Sequence, residues 1–419
     1  MSAVVLRIAL VAASLLVFDV LAYLFLPDIT GLGRIAPAYR HTRDLREGLL
    51  DTPDVALGYP RYYHIADDTL GFDIAPGAEG LAQIDNRRYQ YRVFSNDLGC
   101  FSRHPRADYQ TGRPYVYFAG DSFTWGFAAY ESKFATVWEE LTGVLAAPCG
   151  VTHSGQRHQF DKFARVVAAI GVMPAVVVVG FDANDPANDA AYPHTTVIDG
   201  YLVDTVYVKN HALVRADRGG LERLVDSRIE ELKRISESPR GLVVNFFKVF
   251  SLSANILNRA LDIGVDTTRR RATTPTSPSP TGHDVSSGLG DDLATYFTLD
   301  DTRARYATDA RADANKAAIL RWRDHANQNG YRLIFLLIPW KESFGDASYF
   351  AQVTSWMAAN GVQFIDLTAA VRQSGMSRAQ LYWEFDGHFN EAGNRLLGKY
   401  LAGISELKPD ALHSAAPAR

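Results

Sequence analysis

"VYFAGDSFTWGF", Val116–Phe127, changes character at Gly120. Its first half is an apolar run with the length and continuity of a strand buried on both faces. Its second half is an Asp-Ser pair followed by aromatics, Thr124 and a second glycine. Open α/β sheets hold their ligands at the carboxyl ends of their strands. Ser122 is therefore either a hydroxyl presented for chemistry or an ordinary turn serine, and the rest of the chain has to decide.

Working outward, apolar runs of the same kind occur at Ala175–Val179, Arg332–Ile338 and Val362–Leu367, with a shorter one near Leu145–Thr152. Helical spacing lies between them. Phe134, Val137, Trp138 and Leu141 follow i, i+3, i+4, i+7, as do Phe160, Phe163, Ala164 and Val167. Leu396, Leu397, Tyr400, Leu401 and Ile404 repeat the pattern near the end. Alternating strands and helices predict an α/β domain with a parallel sheet covered on both faces.

That alternation starts at about Pro114 and breaks between Tyr192 and Asp300. The break contains two helical patterns, "GLERLVDSRIEELKRI" and "GLVVNFFKVFSLSANILNRAL", then a Pro/Ser/Thr/Gly-rich loop at Arg269–Asp292. It reads as an insertion at about 190–300 within one domain spanning 114–407, with a tail at 408–419. The sheet resumes after the helix of "ADANKAAILRWRDHANQNG". Residues 28–113 divide into a polar connecting segment, 28–56, and an aromatic, Gly- and Asp-rich lead-in of short strands and turns.

The 419 residues carry 47% hydrophobic and 21% charged side chains and a net charge of −4, so the chain can bury a large core. Without a basic block, nucleic-acid binding has no electrostatic support. Ile8–Pro27 is apolar apart from Ser14 and Asp19, long enough to span a membrane, which makes 1–27 an anchor. Arg34, Arg40, Arg43 and Arg46 follow it against Arg7 before it, which taken alone favours a cytoplasmic body. Cys100 and Cys149 have no metal spacing; they are either two buried thiols or, in an exported body, one disulfide. The histidines show no zinc-binding spacing either, and no cofactor is implied.

Three polar groups fall at carboxyl ends of expected strands: Asp121-Ser122, Asn184-Asp185 in "GFDANDPAND", and Asp386/His388 in "DGHFNEAGNRLLG". A serine becomes nucleophilic when an oriented base takes its proton. Asp386 and His388 are two apart, so in extended chain their side chains leave on the same side. Asn390 is a natural N-cap for the last helix. The spacing excludes an α/β-hydrolase elbow, G-x-S-x-G, because Thr124 occupies the second glycine position.

These blocks resemble the SGNH (GDSL-type) hydrolase superfamily. "GDSFTWG" matches the first block and makes Ser122 the implied nucleophile. "VTHSGQRHQF" resembles the second and implies Gly155 as a backbone oxyanion donor; "GFDAND" resembles the third, with Asn184 as the side-chain donor. "DGHFNEAGNRLLG" resembles the fifth, with His388 as base and Asp386 as its partner. Asp386-Gly387-His388 is one residue shorter than the commoner D-x-x-H, a form shown by members related to alginate O-acetylation proteins, and Glu384 is the alternative partner. The resemblance implies a flavodoxin-like three-layer α/β/α fold with a mostly parallel sheet. It also implies a serine esterase that forms an acyl-enzyme, or an O-acyltransferase. "TLGFDIAPG" and "RVFSNDLGCFSR" resemble the lead-in of membrane-anchored bacterial members, which implies an extracytoplasmic body. An ester on a small molecule or an envelope glycan is the implied substrate, with an envelope protein as a further partner. A non-catalytic binding protein on the same fold is the rival reading.

Overall fold

The chain enters the structure through short antiparallel ribbons. In this computed structural model, residues 7, 13–18, 21, 55–56, 59–84, 89–237, 293–384, 386–409 and 411–412 are described. Two units are distinguished. One comprises Met1–Ala56, Asn86–Arg88 and Asp226–Gly282; the other, Leu57–Asp85, Tyr89–Val225 and His283–Arg419, contains the sheet and the site. Much of the expected Ile8–Pro27 anchor falls outside the described residues, as do the connecting segment 28–54, the second helical pattern and the loop Arg269–Asp292. Residues 13–18 and 21 are helical, with Leu15, Leu16, Val17, Phe18 and Leu21 exposed. Among the described residues no helix is long and apolar enough to cross a membrane.

The lead-in folds as two hairpins, β1 (His64–Asp67) with β2 (Gly71–Ile74) and β3 (Glu79–Ile84) with β4 (Tyr89–Phe94). Asp67 shapes the first turn by accepting the N–H groups of Thr69 and Leu70. The aromatics that mark this region in the sequence (Tyr59, Tyr63, Phe72, Tyr91 and Phe101) pack into one cluster with Trp125 and Tyr130.

Strand β5 (Tyr115–Ala119) then opens the main sheet and runs into a single helical turn, α1 (Ser122–Trp125). Next come α2 (Phe134–Thr142), β6 (Leu145–Pro148), α3 (Gln156–Ile170), β7 (Val176–Phe181) and α4 (Asp185–Ala191). Two further hairpins, β8 (Thr195–Ile198) with β9 (Tyr201–Asp204) and β10 (Val206–Lys209) with β11 (Ala212–Arg215), precede a helix over Arg218–Glu237. The domain continues with α5 (Asp313–Asn329), β12 (Arg332–Leu337), α6 (Ala351–Ala359), β13 (Phe364–Asp366) and α7 (Glu391–Gly403).

Five strands form one sheet in the order β13-β12-β7-β5-β6, every pair parallel. Counted along the sheet in chain order this is 2-1-3-4-5, the flavodoxin-like winding, and its switch point lies between β5 and β7. Alternation along each strand feeds two cores. Tyr115, Tyr117, Val177 and Val179 pack with Phe163 and Trp322, while Val116, Phe118, Val176 and Val178 pack with Phe134, Trp138 and Leu397. All of Val176–Phe181 is buried, and each such apolar side chain contributes roughly 1.5–3 kcal/mol.

A disulfide and a buried ion pair are among the ties that join the lead-in to this body. Cys100 and Cys149 form a disulfide. Lys162 of α3 donates to Asp73 Oδ1 at 2.6 Å and to the Gly99 carbonyl at 2.7 Å, with both ion-pair partners buried.

Candidate active site

The turn after β5 is built by close packing. Gly120 has φ +147°, and a Cβ there would lie 2.6 Å from Thr124 Cβ. A Cβ on Gly180 of β7 would strike the Thr124 hydroxyl from the other side. The two glycines thus let Thr124 sit over the sheet, which lifts the first turn of α1 above the carboxyl ends of β5 and β7. Asp121 caps that turn, accepting the Phe123 N–H at 3.0 Å on Oδ1. Lys133 holds its other end. Its buried ammonium donates to the Trp125 and Gly126 carbonyls and lies 3.9 Å and 4.1 Å from the Phe101 and Trp125 ring centres. Burial pulls its pKa well below the ordinary lysine value.

Ser122 Oγ meets His388 Nε2 at 2.8 Å. His388 Nδ1 lies 2.5 Å from Asp386 Oδ1, and the same oxygen accepts the His388 backbone N–H at 2.8 Å. One carboxylate oxygen therefore fixes both the imidazole and its backbone, as the two-residue spacing allows. Both imidazole nitrogens are thus engaged, Nδ1 by Asp386 rather than by Glu384 and Nε2 by Ser122. The loop is anchored behind His388 by Asn390, whose side chain accepts the Gly393 N–H at 3.0 Å and caps α7.

Charge and burial pull the imidazole in opposite directions. Burial alone lowers its pKa, but the charge and hydrogen bond of Asp386, followed by the charges of Asp121 and Glu342, outweigh it and leave His388 above the ordinary histidine value. For Asp386 the largest influence, burial, acts upward; His388 by charge and hydrogen bond, with Lys341, brings the net shift below the usual carboxylate range. Phe123 and Phe127 stand against the imidazole with ring centres at 4.6 Å and 4.5 Å, and Trp340 lies at 6.1 Å.

Asn184 occupies the N-cap position of α4, after β7, without a side-chain cap bond. Its Oδ1 accepts from Asn188 Nδ2 at 3.1 Å, so its Nδ2 is turned the other way, to within 3.4 Å of Asp121 Oδ2 beside Ser122. Gly155 precedes α3, and the atoms nearest to a Cβ built on it all belong to Asp189. Ser122, Asp386, His388 and Asn184 are thus gathered at the switch point, whereas Gly155 is packed against a buried carboxylate. Asp182, Asp185 and Asp189 are buried. Asp189 accepts the Arg157 N–H and the Asn315 amide, each at 2.8 Å, and burial pushes its pKa up to about 7 despite them.

Sequence reasoning missed Lys133 and the aromatic wall from Trp340. Lys133 gave one signal only, its place immediately ahead of the Phe134–Leu141 stripe. Among the described residues there is no cluster of histidine, cysteine or carboxylate able to hold a metal ion.

No known family model matches the chain, and no curated protein matches it. Among solved structures, the chain is similar to one described as a lipolytic protein of the G-D-S-L family from Desulfitobacterium hafniense DCB-2. The two are 11% identical, the match covers 69% of this chain and 98% of that one, and the TM-score is 0.32.

Proposed function

We propose that this protein is a serine esterase that cleaves an acyl ester through Ser122, His388 and Asp386. The observation that carries this reading is the continuous path from Ser122 Oγ through both imidazole nitrogens to the Asp386 carboxylate. Ser122 Oγ attacks the ester carbonyl carbon while its proton passes to His388 Nε2. Asp386 holds the imidazole's orientation and stabilises the imidazolium. The carbonyl oxygen becomes an oxyanion that takes the Asn184 amide, with the Ser122 backbone N–H as a further donor. Losing one such donor typically costs about 10²–10³ in turnover. Collapse breaks the ester C–O bond, His388 returns its proton to the leaving alcohol, and the acyl group remains on Ser122. Water, deprotonated by His388, then attacks the acyl carbon, the bond to Ser122 Oγ breaks, and His388 returns the proton to Ser122 as the acid leaves.

The rings of Phe127 and Trp340 beside His388 favour a second reading, in which a sugar hydroxyl replaces water and the product is an O-acylated glycan. The disulfide favours an oxidising compartment. The exposed Leu15, Leu16, Val17 and Phe18 favour an anchor in lipid. Together they support a membrane-anchored, extracytoplasmic enzyme acting on an envelope ester.

The test is hydrolysis of 4-nitrophenyl acetate by the full chain in detergent, beside Ser122→Ala and His388→Ala. Activity in the native protein alone supports the triad, and equal activity in all three overturns it. An inert native protein that transfers acetyl to a glycan selects the second reading. Inertness in both assays leaves a binding protein on this fold.

A further inference from the structure

Asn184 stands where an asparagine ordinarily caps a helix, its side-chain oxygen accepting an N–H of the first turn. Here it forgoes that bond and takes helical dihedrals itself, with φ −89° and ψ −19°. The oxygen is claimed from one turn further on: Asn188 Nδ2 donates to Asn184 Oδ1 at 3.1 Å. Residues four apart in a helix share a face, which brings the two amides together. The start of α4 is built for this meeting. The Asn184 carbonyl accepts the Ala187 and Asn188 N–H groups at 3.0 Å and 3.1 Å, and Pro186 lies in the first turn, where a missing N–H goes unused. Asn188 is buried behind the site, whereas Asn184 is half-buried at it.

What this bond decides is which end of an amide faces the nucleophile. The two ends are alike in shape and opposite in polarity, since the oxygen accepts and the nitrogen donates. With Oδ1 held by Asn188, Nδ2 is turned toward the nucleophile turn, 3.4 Å from Asp121 Oδ2. The backbone of Asn184 is fixed as well. Its N–H donates to Asp182 Oδ1 at 2.8 Å, and Asp185 Oδ2 in turn accepts the Asp182 N–H at 2.9 Å and Gln156 Nε2 at 2.8 Å. A reversed amide sets its oxygen against Asp121 and then against the oxyanion. A donor already aimed at the developing charge needs no reorganisation when that charge appears.

We propose that Asn188 is a positioning residue that holds the Asn184 amide with its N–H toward the developing oxyanion. It acts only through Asn184. Its effect on turnover rests on the esterase reading; the orientation of the amide does not.

The experiment is a double-mutant cycle in the full chain, read by turnover of 4-nitrophenyl acetate. Asn184→Ala lowers kcat about 10²-fold, the loss of one oxyanion donor. Asn188→Leu keeps the volume, removes the donor and lowers kcat about tenfold, with KM within about twofold. In the Asn184→Ala background the same change alters kcat by less than about twofold, because no amide is left to orient. Asn188→Ala repeats the cycle without overpacking, so a Leu variant that fails to fold does not end the test. The Asn184 side-chain amide, followed by ¹⁵N NMR and assigned by its absence in Asn184→Ala, moves toward the position of a solvent-exposed amide in the Asn188 variants. Equal losses in both backgrounds, the mark of a merely structural residue, overturn the proposal. So does native turnover in either single variant, or an amide signal that stays in place; in each case an active native protein keeps the esterase reading. An inert native protein sinks the esterase reading, and the amide signal then decides alone: moved, it leaves the orientation standing, and unmoved, it overturns that too.

Discussion

His388 Nε2 lies 2.8 Å from Ser122 Oγ although 266 positions separate the two residues along the chain. Nothing local holds them together. The contact depends on the sheet winding that places the ends of β5 and β7 beside the loop before α7, and on the aromatic rings of Phe123 and Phe127 that flank the imidazole. The first expectation concerns this pair.

Ester cleavage requires the neutral imidazole, whose pKa is raised mainly by Asp386 against the opposing effect of burial. kcat/KM therefore falls with decreasing pH through a midpoint above 6.5, the ordinary histidine value. Asp386→Asn moves that limb to lower pH and lowers the plateau by up to about 10⁴-fold. A pH–rate profile from 5 to 9 checks both. A limb that stays in place in Asp386→Asn removes Asp386 from the triad.

Gly120→Ala tests the seat of the nucleophile. The new methyl meets Thr124 Cβ at 2.6 Å on a backbone with φ +147°, so the turn must move. Activity drops at least tenfold, and stability falls by about 2 kcal/mol or more. Denaturant midpoints and turnover measured on the same sample decide it, and a variant normal in both shows that the turn has slack.

Lys162→Met removes one partner of a buried ion pair, leaving Asp73 with Arg165 alone. Breaking such a pair costs about 3 kcal/mol or more. The loss appears in urea unfolding, with no change in the pH profile of the remaining activity. A loss below 1 kcal/mol shows that Arg165 alone neutralises Asp73.

His64 is buried among Tyr59, Tyr63 and Phe72, its Nε2 has no partner, and burial lowers its pKa to about 3. The unfolded imidazole gains a proton near pH 6.5, which the folded one refuses until about pH 3. Stability is therefore lost as pH falls through this window. Relative to His64→Phe, the native protein loses about 2 kcal/mol between pH 7.5 and 5. Comparing the two proteins cancels the opposing carboxylates at Asp182, Asp185 and Asp189, and parallel stability curves refute the assignment.

The parts of the molecule legible in its sequence are those with a strong physical period or a rigid chemical requirement. Tyr115–Ala119 and Val176–Phe181 read as buried strands because both faces of the sheet are covered, and Asn390 read as a cap from its place before an apolar stripe. Ser122 was legible at a strand end, whereas Asp386 and His388, expected at another, lie on a loop beyond two short helices that follow β13, and their convergence with Ser122 needed the fold. The hairpins over Thr195–Arg215 went unread although Asp199-Gly200 lies between alternating residues, a strong hairpin signal. The second hairpin turns on Asn210-His211, both with positive φ, and carries no glycine to announce it. The burial of the carboxylates was illegible for a different reason. "DANDPAND" has the composition of a solvated turn, and only the packing of Gln156 and Asn315 around it shows that it is interior.

One contact sets the minimum size of a working fragment. Tyr89 of the lead-in bonds Glu391 at the head of α7, and its ring lies 4.6 Å from that of Trp383, whose indole N–H reaches the Phe127 carbonyl at 3.0 Å. The lead-in is thus a brace for the loop that bears His388. A fragment cut at Pro114, where the α/β rhythm begins, keeps Ser122, Asp386 and His388 and loses the contacts of Tyr89 with Glu391 and Trp383. The boundary of the functional unit is therefore set by mechanical support of the site and lies upstream of the sheet itself.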